Sequence, residues 1–179
     1  GCLVAAWAGG LPPEPPDVRR QIANPANVYQ VVSMLRGVVT RGTGRRIAKI
    51  GKPLAGKTGT SNDSVDTWFI GFAPDLAVGV FVGFDKPRSL GPFDSGSNVA
   101  APVFKTFMEG ALADRPAVPF RRPSGVRLVR INPRTGQLAD ANDRGAIIEA
   151  FIPGTEPVGE SPVIGGGVPT TVSEAVAPG

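Results

Sequence analysis

The sequence predicts an α+β fold: an antiparallel sheet flanked by helices, followed by a small β appendage and a disordered tail. Three observations predict it. Two aromatic and β-branched runs, residues 67–73 and 76–84, flank a Pro74-Asp75 turn, the pattern of an antiparallel hairpin. Residues 27–39 and 99–113 carry apolar side chains at helical spacing. After Pro116 the pattern changes to short strands separated by turn residues.

Taken in order, residues 1–23 read as an extended segment, since Gly9 to Pro16 holds four prolines and two glycines. Asn24 followed by Pro25 is a helix N-cap with proline in the first turn. Val28, Val31, Val32, Leu35 and Val39 then recur on one helical face, and Gly42 marks a stop. Residues 41–52 are a glycine-rich basic loop, and residues 54–60 a first strand. Residues 61–66 form a polar connection into the hairpin, and residues 85–97 a turn-rich excursion.

The second helix opens at Asn98 or Val99, with Pro102 near its start. Val103, Phe104, Phe107, Met108, Ala111 and Leu112 form an apolar stripe expected to pack on the sheet. Residues 24–115 thus form the main unit, and residues 116–157 a β appendage. The appendage has strands at 126–131 and 146–152 and a turn at Asn132-Pro-Arg-Thr-Gly136. From Pro153 onward the chain has no period, and residues 158–179 are expected to be disordered.

Composition narrows the chemistry. At 179 residues and 41% hydrophobic, with mean hydropathy near zero, this is a soluble globular composition with room for one core. No apolar run approaches the roughly 20 residues of a transmembrane helix, and the short run after Cys2 does not make a signal peptide. The chain begins at Gly1 and reads as a piece of a longer protein. It contains no histidine and one cysteine, which removes histidine-based triads, histidine metal sites and an internal disulfide. Acid–base work must come from lysine or carboxylates. The basic stretch Arg41, Arg45, Arg46, Lys49, Lys52 and Lys57 has no aromatics between Gly42 and Gly56, so it does not read as a nucleic-acid site.

The segment Gly51-Lys-Pro-Leu-Ala-Gly-Lys-Thr-Gly-Thr60 fits two motifs. From Gly51 it matches the phosphate loop G-x-x-x-x-G-K-[ST]. From Lys57 it is K-T-G-T, the lysine strand of serine enzymes acylated by penicillin. A phosphate loop must start a helix at the lysine. Here Thr58, Gly59, Thr60, Ser61, Asn62, Asp63 and Ser64 follow, all poor helix formers. A two-residue turn also cannot supply the crossover that a parallel nucleotide-binding sheet needs. By itself Lys57 could be an edge-protecting strand lysine.

The context decides. Lys57-Thr-Gly-Thr-Ser-Asn-Asp-Ser64, Asp66-Thr-Trp-Phe-Ile-Gly-Phe-Ala-Pro-Asp75 and Val82-Gly-Phe-Asp85 resemble the transpeptidase domain of bifunctional, class A penicillin-binding proteins. Tyr29 to Gly44, Ala100-Ala-Pro-Val-Phe104 and Pro153-Gly-Thr-Glu-Pro157 resemble the same family, in the same order. The resemblance covers residues 17–157. It implies the C-terminal part of a penicillin-binding, serine β-lactamase-like fold.

In that family the serine of S-x-x-K attacks a D-Ala-D-Ala peptide, releasing D-Ala and leaving an acyl-enzyme. The resemblance makes Lys57 the catalytic cation, paired with an S-x-N serine and facing the substrate carboxylate. Thr58, Gly59 and Thr60 become substrate-binding, with the Thr60 N–H as an oxyanion donor. It further implies peptidoglycan stem peptides and β-lactams as partners, no nucleic acid, no cofactor and no metal. The expected place is the periplasmic side of the bacterial inner membrane, with any anchor in a preceding segment. Cys2 lies where the family has a cysteine-bearing region. None of the five lysines here has serine three residues before it, and no S-x-N occurs. Ser61 and Ser64 therefore read as turn serines, and the chain is expected to be inactive alone. The alternatives are a non-catalytic module of the same fold and a nucleotide-binding module from the phosphate-loop match.

Overall fold

Backbone chemistry at Asn24 starts the first helix, α1 (Pro25–Thr40). The Asn24 side chain accepts from the Ala26 and Asn27 N–H groups at 2.8 and 3.4 Å, and proline follows where no N–H is needed. The computed structural model describes residues 20–157, so the segment around Cys2, the Gly9 to Pro16 stretch and the 158–179 tail lie outside it. Three strands follow, β1 (Ala55–Thr60), β2 (Asp66–Ala73) and β3 (Leu76–Gly83), within a residue or so of the sequence expectation. They form one antiparallel sheet in the order β1-β2-β3.

Register assigns the faces. Lys57 pairs with Ile70, Gly59 with Trp68, and Trp68 in turn with Phe81. Strand alternation puts these on one face and Thr58, Thr60, Thr67 and Phe69 on the other. The second face is covered by helix α2 (Ala100–Ala111). Phe104 meets Phe69 with ring centroids 4.7 Å apart, and Ala100, Ala101, Met108 and Leu112 complete the core with Val39 and Leu54. Full burial of such side chains stabilises by about 1.5–3 kcal/mol each.

The helical stripes are narrower than their sequence suggests. On α2, Phe104, Met108 and Leu112 are buried, whereas Val103 and Phe107 stand half exposed. They sit one residue, about 100° of rotation, away from the line that touches the sheet. On α1, Val39 is buried with Tyr29 and Gly37, while Val28 and Val31 face outward. This helix is held on two flanks, near its end by β1 and near its start by the appendage, so its buried line is not the valine stripe.

The basic loop also differs from expectation. Ile47–Ile50 forms a 3-10 turn, and Ile47 is completely buried in the core while Arg45, Arg46 and Lys49 stay at the surface. Charged neighbours masked a single core residue.

The appendage is a two-stranded antiparallel sheet of β4 (Arg127–Ile131) and β5 (Ile147–Phe151). It is seated on α1. Tyr29, Val126 and Ala150 form a second small core, the Gln30 side chain donates to Ala150 O at 3.1 Å, and Ser33 donates to Glu149 at 3.0 Å. Arg41 folds back to pair with the same carboxylate. Beyond β5, residues 153–157 are ordered in a turn, not part of a featureless tail. The Gly154 N–H and Arg127 both bind the Glu156 carboxylate there.

Candidate active-site strand

Lys57 lies within β1, an outer strand of its sheet among the described residues. No helix begins there, which removes the phosphate-loop reading: Lys57 lies within a strand paired antiparallel with β2. Its Nζ is exposed and donates to Thr58 O at 2.7 Å and Thr58 Oγ1 at 3.3 Å. No carboxylate pairs with it among the described residues. Its charge is free for an external anion.

The two threonine hydroxyls are each held from outside the strand. Thr58 Oγ1 lies 3.0 Å from Thr43 Oγ1, on the turn that follows α1. Thr60 Oγ1 accepts the Gly96 N–H at 3.0 Å. That bond occupies a lone pair and leaves the Thr60 proton available to an acceptor. Gly96 approaches so closely that a Cβ on it would sit 2.5 Å from both Gly59 O and Trp68 O. Gly59 in turn packs against Trp68, 3.1 Å from an added Cβ to the Trp68 Cβ. Thus Lys57, Thr58, Gly59 and Thr60 stay together on one exposed strand edge, braced from below by Gly96. Sequence reasoning passed over Thr43 and Gly96. Both lie in segments rich in turn residues, where neither a threonine nor a glycine stands out.

The candidate serines behave as turn residues. Ser61 Oγ accepts the Asp66 N–H at 2.7 Å and donates to Asp66 O at 3.3 Å. Asp63 and Ser64 both adopt positive φ (57° and 53°), tightening the connection between β1 and β2. The Ser64 carbonyl accepts the Leu90 N–H at 2.9 Å. Beside Lys57, on the same face, Trp68, Ile70 and Phe81 are 44%, 56% and 51% exposed, with the Trp68 and Phe81 rings 4.7 Å apart. The lysine strand is thus bordered by an uncovered aromatic face. Among the described residues no cluster of carboxylates or cysteine could hold a metal ion.

This arrangement defines the class. The strand carries the K-T-G element that is also found in serine enzymes acylated by penicillin, on an antiparallel sheet with a helix across one face. The family model for the penicillin-binding protein transpeptidase domain matches residues 3–109, more than half of the chain, and the chain belongs to that family. More particularly, it is similar to penicillin-binding protein 1A. The protein of that name from Rickettsia conorii is 45% identical over 131 residues, and that from Rickettsia bellii 48% over 130; each match covers 73% of this chain and 16% of the relative. Penicillin-binding protein 1A of Pseudomonas aeruginosa is 42% identical over 137 residues, 76% of this chain and 17% of its own. The crystal structure of penicillin-binding protein 1A from Haemophilus influenzae superimposes with a TM-score of 0.63 at 34% identity, covering 73% of this chain and 20% of that one. The chain therefore spans about a sixth of the length of these curated relatives.

Proposed function

We propose that this chain is the C-terminal part of a peptidoglycan D,D-transpeptidase, with residues 24–115 in the transpeptidase domain and residues 116–157 an appendage to it. Lys57 is its catalytic cation, and Thr58, Gly59 and Thr60 bind the substrate. The observation that carries this reading is the free charge of Lys57 on an edge strand whose hydroxyls are held from behind. A D-Ala-D-Ala peptide ends in a carboxylate. A β-lactam carries one in an equivalent place relative to its reactive carbonyl. Lys57 and the threonine hydroxyls suit that carboxylate, since charge-assisted hydrogen bonds are the strong ones.

A peptide strand can also lie along the free edge of β1, as extended ligands do at exposed sheet edges. The chemistry then needs a serine to attack the carbonyl, a base to take its proton, and donors for the developing oxyanion; the Thr60 N–H is one such donor. The serine lies in a preceding segment of the longer protein, which we seat against Trp68, Ile70 and Phe81. No helix among the described residues is long and apolar enough to cross a membrane. Assembly of bacterial cell wall at the periplasmic face of the inner membrane follows from this reading.

Fluorescent penicillin provides the test. The isolated chain should form no covalent adduct on a denaturing gel, whereas the intact protein should label with one equivalent. Labelling of the isolated chain would expose a misassigned nucleophile, with Ser61 or Ser64 the first suspects. Failure of the intact protein to label would favour a non-catalytic module.

A further inference from the structure

The turn Gly42-Thr43-Gly44 ties the end of α1 to the lysine strand, and nothing in the K-T-G-T motif assigns it a part in the reaction. We propose that Thr43 is a positioning residue for substrate-carboxylate recognition, acting through Thr58; this rests on the transpeptidase reading above.

The turn is built to hold its central side chain still. The Gly42 N–H reaches Gly37 O and Val38 O, each at 3.1 Å, and the Gly44 N–H reaches Val38 O at 2.9 Å. A Cβ at Gly42 would lie 2.9 Å from Val38 Cα, and one at Gly44 would lie 3.2 Å from Val38 O. At Gly42 any side chain would force a shift of the helix backbone, and at Gly44 it would crowd the Val38 carbonyl. On its far side the turn is fixed by Ile47, whose N–H binds Gly44 O at 2.9 Å and whose side chain is fully buried. Thr43, between the two glycines, is thereby set with Oγ1 3.0 Å from Thr58 Oγ1.

Either hydroxyl can donate across this contact; in the proposed arrangement Thr43 donates. A hydroxyl has one proton and two lone pairs, and a lysine ammonium only donates. Lys57 Nζ therefore uses one lone pair of Thr58 Oγ1. With the Thr43 hydroxyl donating into the other, Thr58 has only its proton left to offer. The Thr58 hydroxyl then acts as an obligate donor, the form that suits a carboxylate and no neutral donor group. The Gly96 N–H likewise fills one lone pair of Thr60 Oγ1. Thr43 touches no reacting atom; it decides which way the Thr58 proton points.

The test uses the intact protein with penicillin G and its methyl ester, which lacks the free carboxylate. Pre-covalent dissociation constants and acylation rate constants are measured separately for wild type and for Thr43→Val, Thr43→Ala, Thr43→Ser and Thr58→Val. Thr43→Val and Thr43→Ala should each weaken pre-covalent binding of penicillin G by up to roughly tenfold, the scale of one neutral hydrogen bond, with a smaller change in the acylation rate constant. Thr43→Ser should stay within about twofold of wild type, and the ester should bind all Thr43 variants nearly alike. Equal losses for acid and ester would mean a merely structural role and overturn the proposal. So would wild-type binding by Thr43→Val alongside weakened binding by Thr58→Val. If Thr58→Val also binds penicillin G like wild type, the assignment of the strand itself fails.

Discussion

Gly96→Ala tests whether the lysine strand depends on its brace. The glycine donates its N–H to Thr60 Oγ1 and lies against the backbone of β1 and β2. An added methyl group would sit 2.5 Å from Gly59 O and Trp68 O, about half an ångström inside the closest approach real Cβ atoms show. Both obstacles are backbone atoms of a paired ladder, so no side-chain rotation relieves them. Either the 85–99 connection lifts away, breaking the Gly96–Thr60 bond, or β1 shifts. Overpacking of this kind costs about 1–3 kcal/mol. A displacement approaching 1 Å at a catalytic group can cost about a hundredfold in rate. We expect Gly96→Ala in the intact protein to lower the second-order acylation rate with one β-lactam between about tenfold and a hundredfold. Thermal stability should fall in parallel. Gly96→Ser should be no better, since its Cβ meets the same atoms. If Gly96→Ala acylates at the wild-type rate with unchanged stability, the brace has no functional weight and the geometry has been misread.

Other perturbations follow from the same structure. Lys57→Ala in the intact protein should reduce acylation by roughly a hundredfold or more, on the order of 2–4 kcal/mol of transition-state stabilisation, with Lys57→Arg recovering only part. Wild-type acylation by Lys57→Ala would reduce the residue to an edge lysine. Thr67 is completely buried and its hydroxyl has no hydrogen-bond partner among the described residues, so Thr67→Val should be neutral or stabilise by about 1 kcal/mol in denaturant unfolding. A clear loss of stability would mean that the hydroxyl is satisfied. The Glu156 carboxyl is held below the usual carboxylate range first by its own backbone N–H; desolvation, next in size, opposes this, and the Gly154 N–H and Arg127 lower it further. Its contribution to stability is therefore present above its unfolded value and is lost as pH falls through the depressed folded value. An NMR titration should find the midpoint lowered, and Arg127→Ala should raise it only in part, because the backbone donors remain.

Much of this molecule was legible before any coordinates, because the signals were local. An asparagine followed by proline caps a helix through atoms two and three residues apart. Alternating aromatic and β-branched residues about Pro74-Asp75 make a hairpin whose register follows from the turn. The K-T-G-T segment announces its chemistry because Lys57, Thr58 and Thr60 are neighbours along one strand. What sequence reading missed lies where distant segments meet. Ile47 enters the core from a basic loop because α1, β1 and α2 leave a space there. Val103 and Phe107 stay outside because helix rotation relative to the sheet, not the width of the apolar stripe, decides what is covered. Arg41 reads as one charge of a basic run, yet it clasps Glu149 across the seam to the appendage. Thr43 meets Thr58, and Gly96 passes beneath Thr60, only after the intervening chain has folded back on itself. Propensity and alternation are set by bonds and sterics within a few residues, so one sequence carries them openly. Which hydroxyl meets Thr58 at the lysine strand depends on where a turn fifteen residues earlier comes to rest, and packing of the whole sheet and both helices settles that.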